Sequence, residues 1–306
     1  MLRTLSTTPK KTSLLSRIYR NRVYYLLLLP FLIVFFTFTL LPVIKAIFYS
    51  FTQFNILEPP QWFGLGNYRK LLLNDEIFLT AVKNTLFFAC ITGPVSYIAC
   101  LLLAWFITDF SKGLRTILTL LFYAPSLSNI FFVWLLIFSG DSYGYLNAWL
   151  TKIGLILEPI QWLTDEQYMT GVVLVIVLWG SLGTSFLSFI AGFQNVDKTL
   201  YEAGAVDGIK NRWQELWFIT LPSIKPQMLF GAIMSITSSF SIGPTITSIV
   251  GFPSTNYKVH TIMHHLEDYG NLRFEMGYAC AIATFLFIVM IGLNKLVQKM
   301  LSRVGQ

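Results

Sequence analysis

Six stretches of this 306-residue chain contain no Asp, Glu, Lys or Arg: 23–44, 84–108, 116–140, 167–196, 226–257 and 276–294. A helix rises about 1.5 Å per residue, so even the shortest, of 19 residues, is near the length that crosses the ~30 Å hydrocarbon core of a bilayer. Inside lipid every backbone N–H and C=O must find a partner within protein, and continuous apolar runs of this length meet that demand as helices. The expected fold class is an all-α membrane protein with six transmembrane helices. Composition agrees, with 55% apolar and 12% charged residues and a mean hydropathy of +0.62. The first run is too long for the apolar region of a signal peptide and no small-x-small cleavage site follows it, so it is expected to remain as an anchor.

The net charge of +7 follows topology rather than a nucleic-acid-binding stripe. With the N-terminus in the cytoplasm, the inner segments 1–22, 109–115, 197–225 and 295–306 hold fifteen Lys and Arg, and the outer ones hold seven. That bias places both termini inside. It divides the chain into a basic tail (1–22), a six-span domain (23–296) and a C-terminal tail (297–306). Cys90, Cys100 and Cys280 all fall in candidate spans. Cys90 and Cys100 lie about 15 Å apart along one helix, too far to pair, and all three read as small buried apolar residues without a disulfide framework.

The cytoplasmic loop 197–225 carries much of the charge found away from the ends. Asp197 is placed to cap a short helix starting at Lys198, and Asp207-Gly208 to end it with Gly208 in the left-handed conformation. Asn211 and Gln214 have the spacing of a capping box for a second short helix, with Trp213, Leu216 and Trp217 on one apolar face, which Pro222 and Pro226 then break. Glu202-Ala203-Gly204, Asp207-Gly208 and Ile219-Thr220-Leu221-Pro222 resemble the EAA loop of binding-protein-dependent ABC importer permeases of the carbohydrate type. Two departures stand out: Gly204 replaces the usual Ala, and ten residues rather than nine separate Gly208 from Ile219. Outer-loop motifs are also similar to the family: Trp62-Phe63-Gly64-Leu65-Gly66-Asn67-Tyr68, Tyr143-Gly144-Tyr145-Leu146-Asn147 and the stretch 274–279. The end of the fourth span, Ala191-Gly192-Phe193-Gln194-Asn195-Val196, resembles the first of the two permeases such systems usually have.

The resemblance implies a type I importer fold in the inner membrane, a second permease subunit, two cytoplasmic ATPase subunits and an external solute-binding protein. It also implies that Glu202, Ala203, Gly204, Asp207, Gly208, Leu221 and Pro222 couple to the ATPases, and that the solute, a sugar or oligosaccharide, crosses by alternating access. Consistent with nucleotide on another polypeptide, the chain contains no G-x-x-x-x-G-K-[ST] and no Gly-Lys pair at all. No catalytic residue, cofactor or metal is assigned.

The fifth span bears hydroxyls at Ser235, Ser238, Ser239 and Ser241, with Gly243-Pro244 expected to interrupt the helix. Broken backbone at membrane depth is tolerated where it lines a cavity or packs on protein. Hydroxyls suit an uncharged polyhydroxy solute, because they donate and accept without the desolvation cost of a charge. Those six positions form a candidate translocation path; the competing role is glue between helices. His260, His264 and His265, with Glu267 and Asp268, read as a solvated interfacial helix, with metal binding the lesser alternative because only His260 and His264 share a face. Gly140-Asp141-Ser142-Tyr143-Gly144 has the spacing of a nucleophile elbow but lacks the strand that motif requires. Two other functions stay open: an ion-coupled secondary carrier, disfavoured by the lack of ionisable residues inside the spans, and a membrane-embedded serine hydrolase.

Overall fold

The computed structural model describes residues 21–127 and 131–301. Nearly all of the basic tail 1–22 and the last five residues of 297–306 lie outside the described residues. Four helices are each long and apolar enough to span a membrane: Arg22–Tyr49, Glu76–Thr108, Glu166–Gln194 and Met276–Leu301. Two further spans are bent pairs, Lys112–Leu127 with Phe131–Ile137 and Lys225–Phe240 with Gly243–Val250. They are taken below as the first to sixth spans in chain order, in the expected sequence.

The boundaries differ where charge was used to mark an end. The first helix runs past Lys45 to Tyr49, and the sixth continues through Lys295 and Lys299 to Leu301. Long basic side chains near a helix end reach the interface along their own stems, so a single Lys does not stop a span. The fourth span is not one rod. It pauses at Ser181 and Gly183 (φ −102°, ψ −134°) before restarting at Thr184. The fifth breaks at Ser241 and Ile242, just before Gly243-Pro244, with a bend of 44°. Pro244 therefore does not interrupt a helix. It sits in the first turn of the next one, where its missing N–H would have had no intrahelical acceptor.

Spans two, four and five form the body. Small residues set their spacing, as expected where helices gain by close approach rather than by expelling water. A Cβ on Gly231 of the fifth span would lie 2.8 Å from the Phe189 ring of the fourth, and one on Gly93 of the second 3.3 Å from Ser239 Oγ. Ser185 Oγ donates to Gly231 O at 3.0 Å and lies 3.2 Å from Ser235 Oγ, an interhelical bond that lipid would not supply. At one end, Ile107, Phe186, Phe189, Phe193, Leu216, Leu221 and Ile224 join these spans to the loop between the fourth and fifth. At the other, Leu71, Phe78, Phe240, Ile262, Tyr269, Tyr278 and Ile282 join the second, fifth and sixth spans to the outer loops. The cysteines are free, but only Cys100 is fully buried; Cys90 is exposed and Cys280 intermediate.

Two asparagines from the outer-loop motifs hold those loops together. Asn67 Nδ2 donates to Ser50 O (2.9 Å) and Thr52 O (2.8 Å). Asn147, wholly buried, donates to Ser139 O, Asp141 O and Ile160 O, and its Oδ1 accepts from Ile160 N and Trp162 Nε1. Among the described residues the 140–144 stretch is a turn with Ser142 exposed; the helix Tyr145–Lys152 follows it, but a helix, Phe131–Ile137, precedes it where a nucleophile elbow needs a strand.

Candidate functional site

The loop expected to couple is built from two helices. The first, Lys198–Val206, is capped by Asp197, whose carboxylate accepts from Thr199 N at 3.0 Å. It ends at Gly208, whose φ of +92° no L side chain adopts easily. Asn211 Oδ1 accepts from Gln214 N at 2.9 Å, but Gln214 Oε1 reaches one residue further back than a capping box, to Lys210 N. The second helix begins at Arg212 and does not stop at Pro222. A π turn at Leu216–Thr220 leads into Leu221–Ser223, and the break comes at Ile224 (φ −96°, ψ 17°). Leu221 N–H donates to Leu216 O, five residues back, and Thr220 Oγ1 donates to Glu215 O at 3.1 Å.

A π turn holds one residue more than an α turn, and the stretch from Gly208 to Ile219 is one residue longer than the family spacing. Of the three side chains expected on one face, Leu216 is buried in the core, whereas Trp213 and Trp217 are more than half exposed. Ile219 lies against the first helix. A Cβ on Gly204 would lie 2.6 Å from Ile219 Cδ1 and 3.1 Å from Ile209 Cδ1. Glycine at 204 therefore sits beside Ile219 and Ile209 where a larger residue would have to displace the end of a side chain.

Glu202, Ala203, Asp207, Gly208 and Pro222 are exposed on this element, while Gly204 and Leu221 are buried beneath it. The element is tied to the second span by contacts that spacing in the sequence does not reveal. The Arg212 guanidinium lies 4.7 Å from the centre of the Trp105 ring and pairs with Asp109 at 2.5 Å, and Trp213 packs on Trp105 at 5.1 Å.

A cavity of about 220 Å³ opens at the break in the fifth span. Ser238, Ser239 and Ser241 line it, joined by Thr92 and Ser96 of the second span, Ser181 at the pause in the fourth, and Thr245. No ionisable side chain is among its lining residues. Three of the six expected path positions are placed elsewhere. Ser235 is the glue to Ser185, Gly243 packs against Met263 with a Cβ clearance of only 2.7 Å, and Pro244 does not reach the cavity. Hydroxyls thus bond helix to helix at Ser235 and line a cavity at Ser238, Ser239 and Ser241, at different turns of one helix. The contributions of Thr92, Ser96 and Ser181 were missed because single hydroxyls in separate spans carry no local pattern.

The histidines overturn the expectation of a solvated helix: all three are buried. His265 Nε2 lies 2.9 Å from Asp75 Oδ2, Tyr278 Oη donates to the same oxygen at 2.7 Å, and His260 Nε2 is 3.3 Å from His265 Nδ1. His264 Nδ1 accepts from Thr261 N. The His260 and His264 rings stack with Phe252 at 5.8 Å from each instead of converging on a point. Burial pushes His260 down to about 3, helped by its two neighbouring histidines, and His264 down to about 4; His265 is lowered as well, against the pull of Asp75. Burial tends to raise Asp75, but hydrogen bonds from Tyr278 and Phe78 N hold it below its ordinary value. The network is a neutral-imidazole clasp joining the start of the second span, the loop after the fifth and the start of the sixth.

A multi-span helical body, a cavity with hydroxyls in its lining at a broken helix and a compact helix pair between two spans are the features that bear comparison with known membrane proteins. Residues 101–303 match the family model described as binding-protein-dependent transport system inner membrane component, and the chain belongs to that family. It is 30% identical over 284 residues to the probable ABC transporter permease protein YesP of Bacillus subtilis (strain 168), covering 90% of this chain and 89% of that one. It is 32% identical to the arabinooligosaccharides transport system permease protein AraP of the same organism, covering 87% and 84%. Among solved structures it resembles a chain of a bacterial ABC transporter involved in the import of the acidic polysaccharide alginate. There the TM-score is 0.77 and the identity 25%, over 96% of this chain and 99% of that one.

Proposed function

We propose that this chain is one of two permease subunits of an ATP-driven importer for uncharged saccharides. The single observation that carries the solute class is the cavity at 238–245, whose polar groups are hydroxyls without a fixed charge. Such a lining exchanges hydrogen bonds with a polyhydroxy solute at little desolvation cost. The names of the relatives support the class: AraP is an arabinooligosaccharides permease, and a second relative, LacF of Rhizobium radiobacter, is a lactose permease.

Two ATPase subunits bind the 198–221 element from the cytoplasm, where both termini also lie, and an external binding protein delivers the solute. Glu202 pairs with a basic ATPase residue, Ala203 and Gly204 allow close approach, and Gly208 sets the turn. Asp207, Leu221 and Pro222 keep the element seated. ATP-driven closure turns the spans between inward- and outward-facing states. The test is uptake into proteoliposomes holding this chain with its co-expressed second permease, ATPase and binding protein, using a panel of neutral and uronic-acid oligosaccharides. ATP-dependent uptake of neutral sugars is expected. Solute uptake by the purified chain alone, driven by an ion gradient, overturns the proposal in favour of a secondary carrier.

A further inference from the structure

The third span carries a feature that the cavity at the fifth does not account for. On a helix turning about 100° per residue, Lys112, Arg115, Thr116, Thr119, Tyr123 and Ser126 fall within an arc of roughly 100°. The opposite side of Lys112–Leu127 presents Leu114, Ile117 and Leu121, all exposed and apolar, as a lipid-facing surface requires. On the polar side, Tyr123 also packs at the edge of the apolar cluster around Phe186 and Phe189, and Leu120 borders the stripe. The stripe opens on a groove shared with Ile190 and Gln194 of the fourth span, and no carboxylate is among the groove's lining residues.

The two ends of this stripe are fixed by contacts. Its Lys112 end lies beside the coupling element, because Asp109, three residues before Lys112, pairs with Arg212. Its other end reaches the pause in the fourth span: a Cβ on Gly183 would lie 3.8 Å from Ser126 Cβ, and Ser181, two residues from Gly183, lines the cavity at the fifth span. From Thr116 to Ser126 the helix rises about 15 Å, half of the ~30 Å hydrocarbon core. The Ser126 and Thr116 hydroxyls bond back to their own helix, to Tyr123 O and Lys112 O. Those of Thr119 and Tyr123 have no hydrogen-bond partner among the described residues. Unbonded hydroxyls at membrane depth are tolerated where water or a solute reaches them.

We infer that this face of the third span is the second half of the solute path, along which an uncharged polyhydroxy solute passes from the cavity to the cytosol. This rests on the importer reading above. A ladder of weak, evenly spaced hydroxyls suits release, since each exchange of hydrogen bonds is nearly neutral and no single site holds the solute.

The experiment uses the assembled transporter in inside-out vesicles, with Cys90, Cys100 and Cys280 replaced by serine. Single cysteines are placed at 116, 119, 123 and 126 and, as the contrasting set, at 114, 117 and 121. A membrane-impermeant thiosulfonate is expected to label the first set at least tenfold faster than the second. Separately, Thr119→Trp should slow uptake of the sugar carried by the wild-type complex at least tenfold while ATP hydrolysis continues; Thr119→Ser and Ile117→Trp should leave it within twofold. Equal or inverted labelling, or full uptake by Thr119→Trp, overturns the path. The importer reading would survive that result, because wild-type uptake is its own measurement. Absence of wild-type sugar uptake would instead remove that reading and this inference with it.

Discussion

Replacing Gly204 by alanine isolates the fit between the two coupling helices. The added Cβ would meet Ile219 Cδ1 at 2.6 Å, inside any real carbon–carbon contact, and Ile209 Cδ1 at 3.1 Å. Overpacking of this kind costs about 1–3 kcal/mol, whereas the same change gains up to about 1 kcal/mol of helix propensity. The net effect is a loss of about 0–2 kcal/mol. Ile219→Val removes the offending Cδ1 and leaves Ile209 Cδ1, the end of a flexible side chain, at 3.1 Å and Ile219 Cγ1 at 3.7 Å. Because Ile219 is only half-buried, that change alone should cost about 0.5 kcal/mol. In the Ile219→Val background, Gly204→Ala then becomes neutral or stabilising, so the double-mutant cycle has a favourable coupling energy of about 1–2 kcal/mol. The measurement is thermal unfolding of the solubilised complex for the four members of the cycle, with sugar-stimulated ATP hydrolysis alongside. Additive effects within about 0.3 kcal/mol would refute the claim that Gly204 and Ile219 are in close steric contact.

Gly208→Val places a β-branched residue at φ +92° with nothing within 4 Å to clash. It is a test of conformation alone, expected to strain the turn by about 1–3 kcal/mol and to uncouple ATP hydrolysis from uptake while the protein stays in the membrane. Normal uptake by this variant counts against the lever role. Asn147→Ala leaves three carbonyls, an N–H and the Trp162 indole without their shared partner; a loss of about 3 kcal/mol and faster proteolysis of the 139–162 loop are expected. The histidine clasp makes this end of the protein acid-sensitive. The folded pKa values of His260 and His264 lie below the ordinary 6.5, so the unfolded chain takes up protons first, and stability declines as pH drops from 6.5 toward 4. By pH 5 the loss reaches about 2 kcal/mol for each, and the depressed Asp75 acts in the same direction at lower pH. A melting temperature that holds steady from pH 7.5 to 5 would refute this.

The number and order of the spans were legible because a membrane crossing is a one-dimensional demand: enough apolar residues without charge. The cap at Asp197 and the turn at Gly208 were legible for a similar reason, since each rests on one or two adjacent residues. The π turn at Leu216–Thr220 was not, because no one or two adjacent residues mark it. Nor was the clasp. Asp75, His265 and Tyr278 are brought together only by the packing of three spans, and a polar helix in an outer loop looks solvated until its neighbours are known. In the fifth span the hydroxyls were legible but not their partners: Ser235 and Ser239 are one turn apart, and only the placement of the fourth span sends one to Ser185 and leaves the other at the cavity.

The helix Arg22–Tyr49 has no buried residue over its most apolar window, and it meets the rest of its own chain mainly through its last third, where Leu41–Tyr49 packs on the sixth span. Among the described residues little covers its long row of greasy side chains. A chain built so is only conditionally folded, and its apparent robustness should rise and fall with what surrounds it. Measured in detergent by itself, it will look weaker than it is in place.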